Sequence, residues 1–447
     1  MRRRVLALAV VLGLLGLVLS ACGQTRRPPV EVTRVVIETR VIPQVVTREV
    51  TREITKEADE ALEPVQIDLW TNQREADGGL QFIRSLADDY SILNSRVSIR
   101  VAHKDTDWFR EDLTTVDRAG DEHDLLWMDD VPVPSLVDAN LILPVDDIIK
   151  LDKYVDSALA GVETNGQTWG VPMSCGDHLL LMYNKDLIEE APQNTDKLIE
   201  VGQNVTGEQQ YGLVYNQADP LWLVPWLGGF TGSVFGEDGK SPTLNTPHMV
   251  TTLHFLRDLV YETAIVPPGT DYDGAFALFS NGESAMIIDG EWTLNRYEEA
   301  LGERLGVARI PRVSATGEWP RPYLRGTYLL LPRSLEEDQA KLEAVVSFIR
   351  FATSANNQVL MLAKLGRLPT VKAALEDPFI TSDPILRGSA EQMKLGKPLP
   401  TSREMECAWQ AMEPEMQAVL FNGKSPELAA EGMQEAAQRC IEGLEDR

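Results

Sequence analysis

The chain has 447 residues, 43% of them hydrophobic, and carries a formal net charge of −26. That length exceeds what one hydrophobic core ordinarily supports, so two lobes are expected. The acidic surplus repels nucleic acid and anionic membrane surfaces, which excludes nucleic-acid binding as the function.

The chain opens on Arg2-Arg3-Arg4, an apolar run over residues 5–19, and small residues up to Cys22. A charged segment, an apolar segment and a processing site in that order read as an export signal, residues 1–21. Residues 22–64 read as a tether. Pro28-Pro29 opens it, and a four-residue repeat follows: Val46-Thr47-Arg48-Glu49, Val50-Thr51-Arg52-Glu53, Ile54-Thr55-Lys56-Glu57. Its β-branched residues weaken a helix, and the tether has too little apolar surface for a core of its own. A solvated stalk is the favoured reading, and a small coiled-coil oligomeriser the competing one.

The body begins with an alternating strand at 65–70 and a polar loop at 71–79, then a helix carrying Leu80, Ile83 and Leu86-Ala87. Strands follow at 97–101 and at 124–127, the latter ending in Met128-Asp129-Asp130. Strand, helix, strand is the pattern of an α/β lobe, whose ligands sit beyond the carboxyl ends of the strands. The loops at 71–77 and 127–130 are therefore placed near a site. Asn165-Gly166 marks a turn. Trp169, Val171 and Met173 then alternate as a strand, the pattern breaks at Ser174-Cys175-Gly176-Asp177-His178, and a second apolar run occupies 179–183. A short polar break between two strands suits a chain stepping from one lobe into another.

Further on, a strand is expected at 211–215, then Asp219-Pro220-Leu221-Trp222, a Gly-rich turn at 236–239 and an amphipathic helix over 251–261. A second crossover falls near 307–311 and a third near 371–376. Ser334-Leu335-Glu336-Glu337 reads as a capping box opening a long helix. Met405, Trp409, Met412 and Met416 recur at helical spacing, with Pro414 as a kink. A last helix starts at Ser425-Pro426, with Leu428, Ala436, Cys440 and Leu444 on one face. Cys407 and Cys440 fall on these two helices and either pair or stay reduced, while Cys175 stands alone at the first crossover. No Cys/His pair has ligand spacing, so no metal is expected. No segment after the leader has the ~18 apolar residues of a membrane span.

Three stretches bring in a resemblance. Gly166-Gln167-Thr168-Trp169-Gly170-Val171-Pro172 is followed by Leu181-Met182-Tyr183-Asn184-Lys185-Asp186-Leu187. Residues 275–286 lead to Asp289-Gly290-Glu291-Trp292, and Gln358, Gly366 and Pro369 follow in order. Together they resemble the extracellular solute-binding proteins of ABC importers, most closely the maltose/maltodextrin-binding branch. The resemblance implies an α/β fold of the two-lobe, type II periplasmic-binding-protein-like class. Its first lobe would comprise 65–175 with 312–372 and its second 176–311 with 373–447, joined by hinge crossovers. It also implies a lipobox at Leu19-Ser20-Ala21-Cys22, with Cys22 lipidated. The expected partners are a carbohydrate, the transmembrane subunits of an ABC permease, and the membrane through the lipid anchor, on the outer face of the cytoplasmic membrane. A monomer without cofactor is expected.

A sugar offers hydroxyls around its plane and C–H groups on its faces, so carboxylates and flat aromatic rings hold it. By the resemblance, Trp292, Trp409 and Trp222 fall at stacking positions, Trp127 at another aromatic position, and Asp177, Asp130 and Asp219 at hydroxyl-binding ones. Each has a bland alternative: a core Trp, a capping Asp, a salt bridge. Arg74 and Glu75 join from the first loop, although the acidic and basic order of the family pattern is not kept there. His178 and Arg325 are departures as well. With Arg74 they would make the cleft partly cationic, suited to an anionic or phosphorylated glycoside, unless they pair with the abundant acids. A glycoside hydrolase using Asp129-Asp130 and Asp177 is the enzyme alternative. It lacks any accompanying signature, so no enzyme is expected. A ligand sensor on the same fold is a third reading.

Overall fold

The computed structural model describes residues 63–104, 123–129 and 131–445. The export signal, the tether, Cys22 and Asp130 lie outside the described residues.

Twelve strands are described. β1 (Val65–Thr71), β2 (Val97–His103) and β3 (Leu125–Asp129) are followed by a small hairpin of β4 (Glu163–Thr164) and β5 (Gln167–Thr168). Its turn is Asn165-Gly166, both at positive φ, 54° and 74°, which Asn and Gly tolerate best. β6 (Val171–Gly176) and β7 (Leu179–Asn184) come next, then β8 (Tyr211–Val214), β9 (Ser284–Gly290), β10 (Leu305–Ala308), β11 (Tyr323–Leu330) and β12 (Lys397–Pro398).

Two sheets result. In the first, the order is β12-β11-β3-β1-β2, with β6 also paired to β11. β1 runs parallel to β2 and β3, and β11 runs antiparallel to β3 and β6. In the second, the order is β10-β7-β9-β8. β6 and β7 are consecutive in the chain yet belong to different sheets, so the chain passes between sheets through Asp177-His178, the break in the apolar pattern. Asp177 takes φ 52° to make that step. β12 pairs with β11 although its segment was expected in the second lobe.

Each sheet has its own core. β1, β3 and β6 supply Ile67, Leu69, Leu125, Val171 and Met173 to the first, against the helices Gly79–Leu93 and Gln339–Ala352. β7, β8 and β9 supply Leu179, Leu181, Leu213, Met286 and Ile288 to the second. That core is completed by the helices Pro247–Tyr261, Arg403–Asn422 and Pro426–Glu445.

Several local expectations are corrected. The long helix starts at Gln339, and its N-cap is Asp338, whose side chain accepts from Lys341 N. Ser334 instead lies in a 3-10 turn, Arg333–Glu337. Pro414 lies inside the helix Arg403–Asn422, where the sequence places it. In the last helix Ala429, Ala430, Met433 and Ala437 face the core, while Leu428 is exposed. Cys407 and Cys440 are joined as a disulfide between these helices, and Cys175 is free and buried.

Gln358, Gly366 and Pro369 acquire physical reasons. Gln358 is fully buried, donates to Met173 O at 2.9 Å, and accepts from Thr370 N and Val371 N at 2.9 and 2.8 Å. It thus stitches the helix Ala355–Leu365 to β6. Gly366 ends that helix at φ 70°, and Pro369 bridges to Ser174 of β6.

Candidate functional site

A cavity of 1340 Å³ is lined by both halves of the body: Pro134, Leu136 and Arg325 from the side of the first sheet, and Asp219, Trp292 and Trp409 from the side of the second. Asp177, at the crossover between the sheets, is on its wall. The site is assembled from strand ends, but the loops 71–77 and 127–129, expected near it, contribute no lining residue. β6 delivers Asp177, β9 delivers Trp292, the chain beyond β8 delivers Asp219, and β11 carries Tyr323 and Arg325.

Trp292 is 44% exposed, which is unusual for so large an apolar ring. Its indole N–H donates to Tyr272 Oη at 3.0 Å, fixing the ring in one orientation. Gly290 makes room for it: a Cβ there would lie 2.1 Å from Trp292 Cε2. A held, exposed indole is a platform for an apolar face. Trp409 is partly buried among Met405, Met412 and Met416 yet also reaches the cavity, 6.4 Å from the Tyr323 ring. Both of its readings, core and platform, apply.

Asp177 and Arg325 face one another across the first crossover, Arg325 being in register with Gly176. Loss of solvent raises the Asp177 pKa, Arg325 and Arg367 oppose this, and the Asp129 carboxylate adds to it. Arg367 is tied to Asp129 at 3.6 Å and donates to Thr327 Oγ1 at 3.3 Å, and Ser174 donates to the same Thr327 oxygen at 2.8 Å. Asp129 is further clamped to β1, its N–H donating to Asn72 Oδ1 at 3.0 Å. Asp219 caps the 3-10 turn Pro220–Trp222, accepting from Leu221 N at 2.8 Å, while also lining the cavity.

Other expected residues are placed elsewhere. Trp222 is 4% exposed, donates to Ile288 O at 2.7 Å, and packs in the second core. Trp127 is 2% exposed in the first core. Neither lines the cavity. Arg74 and Glu75 are exposed and do not line it either; Glu75 pairs with Arg84 at 3.1 Å. His178 is fully buried, with Nε2 3.1 Å from Ser389 O, and burial lowers its pKa to about 4. It is neutral and adds no positive charge to the cleft, because a buried imidazolium would lack solvation.

Sequence reasoning missed Tyr323, Lys240 and Arg403, all on the cavity wall. Tyr323 had a signal: it stands two residues before Arg325 on one strand, hence on the same face.

The geometry is that of a cleft with indole platforms, five acidic side chains (Asp138, Asp177, Asp219, Glu404 and Glu406) and three cations (Lys240, Arg325 and Arg403). The sequence model of a family described as bacterial extracellular solute-binding proteins matches residues 85–388. The maltotriose-binding protein of Pyrococcus abyssi is 24% identical over 374 residues, covering 82% of this chain and 80% of that protein. The galactooligosaccharide-binding protein of Bacillus subtilis is 21% identical over 391 residues, with 84% and 89% covered. Among solved structures, the maltose/maltodextrin-binding domain from Bdellovibrio bacteriovorus bound to maltotriose superposes with a TM-score of 0.59. It is 28% identical, and 85% of this chain and 100% of that one are covered.

Proposed function

The chain belongs to the bacterial extracellular solute-binding proteins, and on that premise we propose that it captures an oligosaccharide in the cleft between its lobes for delivery to an ABC permease. The observation that carries this reading is Trp292, an exposed indole held by Tyr272 that lines the same cavity as Asp177 and Arg325. Trp409 adds a second ring surface, and Asp177 and Asp219 are acceptors for sugar hydroxyls. A cavity of 1340 Å³ is roomy enough for several sugar units.

The lobes in this reading are 65–175 with 312–372 and 176–311 with 373–447, except that 312–321 still pack on the second core and 397–398 return to the first sheet. They close by bending at the crossovers, and the ligand drives closure by favouring the closed state. Cys22 carries the lipid that tethers the protein outside the cytoplasmic membrane, and the protein acts as a monomeric receptor without catalysis. Within the maltotriose and galactooligosaccharide relatives the sugar varies, so the glycan unit is left to experiment. An anionic glycoside is the second reading on Arg325, Lys240 and Arg403, which share the cavity lining with five acidic side chains, Asp138, Asp177, Asp219, Glu404 and Glu406.

A thermal-shift panel of maltotriose, a galactooligosaccharide and sugar phosphates tests this. A saturating ligand at ~100 times its Kd adds about 2.7 kcal/mol and raises the melting temperature by several degrees. A shift with a neutral oligosaccharide, and intact sugar recovered after incubation, is the expected result. A response to sugar phosphates alone favours the anionic reading. No response to any saccharide overturns the carbohydrate assignment, and hydrolysis products overturn its non-catalytic part.

A further inference from the structure

Glu291 lies between Gly290, where β9 ends, and the platform Trp292. It does not line the cavity, and its carboxyl is turned into the first crossover. Oε2 accepts the Asp177 N–H at 2.9 Å and Oε1 accepts the Ser389 hydroxyl at 3.1 Å. Its own N–H donates to His178 O at 2.9 Å. Gly176 leaves the space this needs, since a Cβ there would stand 2.5 Å from Oε2. The end of β6, the start of β7, the end of β9 and the helix Pro384–Met393 all meet on this one side chain.

The imidazole beside it determines where a proton sits. His178 Nε2 is 3.1 Å from Ser389 O, which only accepts, so Nε2 carries the hydrogen. Nδ1 is therefore the unprotonated nitrogen, and Glu291 Oε2 is 3.4 Å from it. With Glu291 ionised, Nδ1 is a buried polar atom without a donor. A second proton on the ring is opposed by its complete burial, which holds the His178 pKa near about 4. A proton on the carboxyl is favoured by burial and by the nearby Asp177 carboxylate, which raise the Glu291 pKa to about 8. Oε2–H then donates to Nδ1 while Oε2 still accepts from Asp177 N.

We propose that Glu291 is a positioning residue for the cleft, sharing one proton with His178 Nδ1 so that Asp177 and Trp292 are held in place to meet ligand. Loss of that proton to solvent leaves a carboxylate facing a lone pair and repelled by Asp177, and the crossover loosens. The groups facing Glu291 are Asp177, His178 and the Cys175 thiol on the crossover, and the Ser389 hydroxyl on the helix. Behind Asp177 stand Arg325 from β11, Arg367 and Asp129. These cations oppose the rise in the Asp177 pKa that its loss of solvent and the Asp129 carboxylate cause.

The ligand half of this inference rests on the proposed carbohydrate function, so the test has a half that needs no ligand. In the purified full chain, the carboxyl resonance of Glu291, assigned by its loss in Glu291→Gln, is expected to titrate near pH 8, with His178 remaining the neutral Nε2–H tautomer throughout. The Asp177 amide and Trp292 indole N–H resonances should follow the same titration in the wild type and stay still in Glu291→Gln. Calorimetry with maltotriose should then show affinity falling about tenfold per unit above pH 8 in the wild type and level in the variant. Titration of Glu291 in the ordinary carboxylate range overturns the proposal, as does a charged or Nδ1–H His178, or Asp177 and Trp292 signals indifferent to the titration. Absence of maltotriose binding at every pH counts against maltotriose as the ligand, while the resonances alone still decide the proton and the positioning. Where the variant fails to fold, through-bond assignment from the Glu291 backbone identifies the same carboxyl resonance in the wild type.

Discussion

Trp292 and Trp222 are similar in sequence setting and opposite in consequence. Trp292→Ala removes an exposed ring, so the variant should keep its melting temperature within a few degrees and lose about tenfold or more in oligosaccharide affinity. Trp222→Ala empties a buried site and breaks the bond to Ile288 O, so it should cost ~3–5 kcal/mol of stability instead. Denaturant unfolding and calorimetry on both variants separate the roles. Gly290→Ala should mimic the first, because its Cβ would displace the Trp292 ring. The acid–base behaviour of Glu291 belongs to this scale too. Its pKa in the folded chain, about 8, is above the ordinary 4.5, so the stability it lends is complete below about 4.5 and lost as pH rises to about 8. His178 acts in the other direction, its contribution being present above 6.5 and lost as pH falls to about 4. Glu291→Gln should therefore gain stability relative to the wild type as pH rises from 5 to 8, as melting curves across that range would register. Such features were poorly legible in the sequence. A periodic pattern reveals that a Trp lies on a helix or strand but not whether a cavity opens beside it, and Glu291 reads simply as one acid among 68.

Elements were far more legible, because alternation and apolar runs are local. The strands at 65–70, 97–101 and 179–183 were expected within a few residues of β1, β2 and β7, and the Asn165-Gly166 turn closes its hairpin. The polar break at 174–178 marks the sheet change because a residue that serves neither sheet has no apolar face to keep. Where expectation failed, two local signals competed. Ser334 had a capping-box partner, yet the chain makes a 3-10 turn first and Asp338 caps the helix. Leu428 suits a helical face, but small Ala residues let the last helix lie close to its neighbour, leaving Leu428 outside. The disulfide joining these helices spans 33 residues, so Cys407→Ser with Cys440→Ser should cost ~3–4 kcal/mol. Melting with and without reductant should show the same loss in the wild type and no effect of reductant in the double variant. Gln358→Ala should be costlier than its size suggests, since Met173 O and two backbone N–H groups lose their partner in the interior.

For the whole molecule, two cores on two sheets are joined through Asp177-His178 and the later crossings, and the cavity lies where the halves meet. Closure about a ligand is the natural motion of that arrangement, because bending at a few crossover residues leaves both cores intact. It also explains why the candidate residues come from separate parts of the chain: Asp177, Asp219, Trp292, Arg325 and Trp409 span more than half its length. Spacing along the sequence carries no information about such convergence, and the family resemblance supplied what spacing could not. The most direct measurement is small-angle X-ray scattering of the purified protein, alone and with whichever oligosaccharide gives the largest thermal shift. A smaller radius of gyration on saturation, abolished in Trp292→Ala at the same concentration, is the expected result. Saturable binding with an unchanged radius of gyration would contradict capture by closure of the two lobes.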